Sequence, residues 1–104
     1  MLEKFLEAIN NKKLIEVRFI AKSDGQIRER KCVPFDYGVS SKSKDKSDKY
    51  HFFDLNSPNS RHNLPLFPNQ IQEINVLESE SFDPADYVKW EPNWIFERDW
   101  GVYS

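Results

Sequence analysis

The chain has 104 residues, of which 31% are charged and 14% aromatic, and a formal net charge of −2. One domain of this size buries roughly 65% of its unfolded surface, so it needs neither metal nor disulfide to fold. Cys32 is the single cysteine, which excludes an internal disulfide and suits a reducing cytoplasm. The near-neutral balance offers no global field to nucleic acid. The opening MLEKFLEAINNKKL is charged throughout, unlike a secretory signal, and no apolar run approaches the roughly 20 residues that span a membrane.

Leu2, Phe5, Leu6 and Ile9 follow helical spacing and predict a short helix with one apolar stripe, stopped at Asn10-Asn11. A helix that short must pack on something else. Period two then takes over. Ile15, Val17 and Phe19 alternate with Glu16 and Arg18 in a first strand, and SDGQ (23–26) marks a turn. A second strand over 27–39 places Val33, Phe35, Tyr37 and Val39 on one face. Arg28, Arg30, Cys32 and Asp36 fall on the other, with a bulge, bend or edge expected at Pro34. Ser40 to Lys49 holds no apolar residue and four Lys against two Asp, which reads as a surface loop, with a nucleic-acid arm as the less favoured alternative.

Tyr50–Asn56 and Arg61–Phe67 flank the turn formers NSPNS and predict a hairpin. With Asn56 opposite Arg61, His51 faces Leu66 and His62 faces Leu55. Both histidines then share a face with Phe53 and Leu64. They stand four residues apart, roughly 13 Å at about 3.3 Å per residue. Two ligands of one zinc ion each lie about 2 Å from it, so this register supplies no shared metal site. Pro68–Gln70 reads as a turn or a single 3₁₀ turn, and Ile74 and Val76 mark a fifth strand.

The segment 82–104 differs in character. Asp83 before Pro84 is a helix start, with one or two turns expected before Pro92. Trp90, Trp94, Phe96, Trp100 and Tyr103 make the segment aromatic, which predicts docking on the strands or contact with a partner.

Three scattered glycines, at 25, 38 and 101, leave no phosphate-cradling loop, and no Walker, Rossmann or nucleophile-elbow pattern occurs. No carboxylate spacing implies paired acid–base work. Cys32 reads as a buried strand cysteine. Arg28 and Arg30 in RERK, two residues apart on one strand face, form the best local basic feature: a solvated face, or a contact for a small anionic ligand or nucleotide. Tyr50 and His51 are further rim candidates.

Several motifs in order resemble the WYL domain family over roughly Leu2 to Pro84. A helix precedes the strands, and Phe19 in VRF stands where the family often ends its first strand on an aromatic. Arg30-x-Cys32-x-Pro34 is similar to the family's arginine, apolar, proline pattern. His51-Phe52-Phe53 falls at the Trp-Tyr-Leu signature with its aromatic-apolar character retained. LFPNQI (66–71) aligns with a segment usually ending in Arg-Ile, with Gln70 in place of the arginine. The resemblance implies a small Sm-like or SH3-type barrel and a ligand-sensing, regulatory role in a bacterial cytoplasm rather than catalysis.

The sequence thus predicts a mainly β, α+β chain. A helix and a five-stranded Sm-like or SH3-like barrel occupy residues 1–81, and an aromatic extension over 82–104 packs on the same domain. The expected function is a stand-alone WYL-like binding domain using Arg28, Arg30, Tyr50 and His51, with no enzyme activity, cofactor or metal. The alternative is a protein-interaction module, meeting a partner or a second copy through Trp90, Trp94 and Trp100.

Overall fold

Helical spacing ends at Asn11, and so does the helix: in this computed structural model α1 spans Leu2–Asn11, with Phe5, Ala8 and Ile9 buried. The structure describes residues 1–39, 47–58 and 60–104; most of the predicted loop and part of the NSPNS turn lie outside them. The left-handed cap residue is Lys12, at φ 55°, rather than either asparagine. Its amide hydrogen-bonds the carbonyl of Ile9 at 3.3 Å, which closes the last turn.

Five strands follow: β1 Lys13–Ile20, β2 Ile27–Gly38, β3 Lys49–Asp54, β4 His62–Leu66 and β5 Ile71–Ser81. They form one antiparallel sheet in the order β4-β3-β2-β1-β5, so the described residues are mainly β with one α-helix. The edges β4 and β5 are joined only through the 3₁₀ turn Pro68–Gln70. Five residue steps from Leu66 to Ile71 reach at most about 18 Å. Flat strands four spacings apart would stand about 19 Å apart, so the sheet curls. Gln70 fixes the corner. Its side-chain oxygen accepts from the Phe67 amide at 2.9 Å, and its nitrogen donates to the Ile20 carbonyl at 3.0 Å.

One face of the curled sheet covers α1. Ile15, Val17 and Cys32 are fully buried there, and Phe5 meets Tyr50 and Phe52 edge-on at 5.0 and 5.2 Å. The other face is covered by residues 82–104. The predicted helix after Asp83 shrinks to a 3₁₀ turn over Pro84–Asp86, which the Asp83 carboxylate caps by accepting from the Ala85 amide. The rest is irregular chain, folded back across β2 and β3. A radius of gyration of 13.1 Å matches the roughly 13 Å of a compact domain of this length. No described helix is long and apolar enough to cross a membrane.

Two corrections to the strand reading decide where side chains point. The first is the facing of residues beyond Pro34, where the expected irregularity is present as a bulge. Pro34 pairs with Phe52 but Asp36 pairs with His51, so Phe35 is an extra residue on β2. Past the bulge the alternation inverts. Asp36 therefore joins Val33 and Phe35 on the outer face, while Tyr37 pairs with Tyr50 on the helix side. The second is the hairpin register. Asp54, not Leu55, faces His62, and His51 faces Pro65. A slip of one residue transfers the whole strand to the opposite face. His51 now shares the outer face with Phe53, while His62 lies on the helix side with Leu64, so the two histidines project oppositely. The cause lies at Asp54, whose Oδ1 accepts the Asn56 amide at 3.0 Å. The Leu55 amide meanwhile donates to the Lys31 carbonyl, and the Lys31 amide to Asn56 Oδ1, each at 2.9 Å. These bonds draw the chain toward β2 before it can pair with β4.

Candidate functional site

The outer face of β3 and β4 and the returning C-terminal segment enclose a cleft of about 670 Å³. His51, Asn63 and Pro65 form its floor, Phe35, Asp36 and Val39 its β2 side, and Trp90, Asn93, Trp94 and Ile95 its roof. The bulge at Phe35 makes the wall, since the extra residue stacks on Phe53 at 5.6 Å and meets Trp90 and Trp94 at 5.9 and 5.5 Å. Trp90 and Trp94 meet each other edge-on at 6.0 Å. A smaller hollow of about 360 Å³ is walled by the C-terminal segment alone.

The roof is fastened by one buried ion pair. Asp36 accepts from the amides of Ile95 and Phe96 at 2.8 and 2.9 Å, and from Tyr37 at 2.9 Å. The Arg98 guanidinium, fully buried as a side chain, donates to Asp36 at 3.1 Å, to the Phe96 carbonyl and to the carbonyl of Phe35. It also lies over the rings of Trp94 and Trp100, at 4.1 and 4.6 Å. Burial pushes the guanidinium pKa down to about 10 against the opposing pull of Asp36, so Arg98 stays charged at neutral pH. Further along, the Trp100 indole donates to the Ile9 carbonyl at 2.8 Å, which ties the segment to the end of α1. Trp94 donates to the Tyr103 carbonyl at 2.7 Å.

Of the residues singled out from the sequence, His51, Trp90 and Trp94 converge on this cleft and the others do not. Tyr50 is buried on the helix side, where burial raises its hydroxyl pKa, with a smaller contribution from Tyr37. Trp100 is 3% exposed, a core residue rather than a free contact. Arg28 and Arg30 lie on the helix-side face, opposite Phe19 and Val17. Arg28 pairs with Asp24 at 2.5 Å and Arg30 with the buried Asp54 at 3.4 Å, so each has an acidic partner. Cys32 is fully buried, and its thiol pKa is raised by burial and then by the charge of Asp54, with Arg30 opposing.

Asp36 and Arg98 went unrecognised in the sequence. Simple alternation puts Asp36 on the wrong face, and 62 residues separate the pair. The one available signal was Pro34, which marks an irregularity that resets the alternation. His51 has a defined chemistry in the cleft. Its Nε2 lies 3.0 Å from the Gly38 carbonyl, which can only accept, so the proton sits on Nε2 and neutral His51 offers Nδ1 as an acceptor. Among the described residues no Lys or Arg lines the cleft, and the one carboxylate that does, Asp36, is engaged by Arg98.

No protein-family model, curated protein or solved structure matches this chain.

Proposed function

We propose that the chain is a ligand-binding, regulatory module without catalytic activity of its own, and that its ligand enters the cleft between β3–β4 and the C-terminal segment. The observation that carries this reading is the convergence of His51, Trp90 and Trp94, from distant parts of the chain, on one concave aromatic surface. Its volume falls within the roughly 300–1,000 Å³ of small-molecule sites, and a few uncharged polar groups among aromatic walls are typical of them. A sensing role of WYL type rests on the resemblance of the motifs over Leu2 to Pro84. The cleft lies on the opposite face from Arg28 and Arg30, so the two ligand-site assignments separate cleanly.

A second reading has its own observation. Trp90 and Ile95, 48% and 56% exposed, both lie on the cleft roof and offer apolar surface to a protein partner. Titration with a library of small uncharged fragments, followed by amide and indole NMR shifts, separates these. The small-molecule reading expects shifts clustered on His51, Asn63, Trp90 and Trp94. Shifts confined to Arg28 and Arg30 would move the site to the helix side. No fragment binding at all, with a protein partner protecting Trp90 and Ile95, would establish the second reading.

A further inference from the structure

We infer that the cleft is a site for an uncharged sugar, a deepening that rests on the binding reading above. The described lining offers no free cation or anion: no Lys or Arg is present, and Asp36 is closed off by Arg98 and three amides. Among the described lining residues a phosphate or carboxylate would meet no free counter-charge. The cleft also carries open polar groups. The side-chain amides of Asn63 and Asn93 are exposed and make no hydrogen bond among the described residues, and His51 offers an acceptor nitrogen. An amide both donates and accepts, as a sugar hydroxyl does, so such groups suit a ring of hydroxyls.

Phe35, Trp90 and Trp94 are mutually inclined at 52° to 73°, with centroids 5.5 to 6.0 Å apart. No two of these rings form the parallel slot that would sandwich a flat heteroaromatic base. They form a corner instead, and Trp90 keeps about half of its surface open. The electron-rich face of an indole attracts polarised C–H bonds, and the apolar face of a pyranose supplies them. The sugar lies with its C–H face on Trp90 and its hydroxyl edge toward Asn63 and Asn93.

The test is titration of the full chain with maltose, cellobiose and lactose, with adenosine and AMP as comparison ligands. Tryptophan fluorescence and the NMR signals of the Trp90 indole and the Asn63 and Asn93 side chains are the readouts. We expect at least one disaccharide to bind with a Kd of about 1 mM or tighter and to shift all three signals. Trp90→Ala, at an exposed position, should weaken that binding about tenfold while retaining a cooperative melt; Asn63→Ala, made separately, should also weaken it. Adenosine or AMP binding in the cleft while the sugars do not would overturn the sugar assignment. So would sugar binding that survives both substitutions, or the failure of every sugar. If uncharged fragments still bind the cleft in that last case, the binding reading stands and only the ligand class is wrong.

Discussion

Asp36 ties β2 to the C-terminal segment. Its carboxylate accepts four hydrogen bonds: one from Tyr37 beside it, and three from the C-terminal segment through Ile95, Phe96 and Arg98. Replacing it leaves a buried guanidinium without its counter-ion, which costs about 3–5 kcal/mol. Asp36→Ala should therefore lower stability by about that amount in chemical denaturation. The double variant Asp36→Ala/Arg98→Met should recover part of it, since no charge is then left buried alone. Cys32 makes a separate prediction. Its folded pKa is raised above the ordinary value of 9.0 by burial, so the folded state holds its proton where the unfolded chain releases it. The contribution is complete below pH 9 and falls as pH rises, by about 1.4 kcal/mol per pH unit while the folded thiol remains protonated. Stability measured from pH 8 to 10 should decline, and Cys32→Ala should flatten the decline. In the native protein the same thiol should resist alkylation until the chain unfolds.

The elements were legible in the sequence to different degrees, for reasons that can be named. α1 and the strands declared themselves by period, because each buries one side and the apolar spacing records it. The hairpin was visible but its register was not. The turn residues NSPNS suggested a four-residue loop, whereas Leu55 and Asn56 bind back to β2, so that β3 ends at Asp54 and β4 begins at His62. Side-chain hydrogen bonds across strands leave no periodic trace. Half the site was within reach, as His51, Trp90 and Trp94 stood out as aromatic or titratable. The latch was not, since it requires both the bulge at Phe35 and a partner in another layer. Gly38 belongs to this scale as well. Its φ of 144° suits glycine, and a Cβ there would come within 2.7 Å of Ile95 on the cleft roof. Gly38→Ala should destabilise by about 1–3 kcal/mol, and Ile95→Ala in the same chain should relieve only the contact and not the backbone strain.

At the scale of the whole molecule, the sheet is covered on both faces, by α1 on one and by residues 82–104 on the other. This explains why β2 is buried without interruption from Cys32 to Asp36, where alternation would leave every second residue in water. The C-terminal segment has little regular structure, so its order comes from contacts: Arg98 on Asp36, Trp100 on Ile9, and a chain of inclined rings from Phe82 through Trp100 and Trp94 to Phe35. Truncation after Ser81 removes this layer, exposes Val33, Phe35 and Phe53, and abolishes the cleft; a lower melting temperature and a tendency to associate are expected. The cleft exists only because the segment is a fixed layer, and hydrogen exchange tests that claim most directly. The amides of Ile95 and Phe96 in the intact protein should be protected to nearly the same extent as those of β2 and β3, opening only with the sheet. Exchange of these two amides at the rate of free chain, with β2 and β3 still protected, would show that nothing holds the roof in place and would contradict that claim.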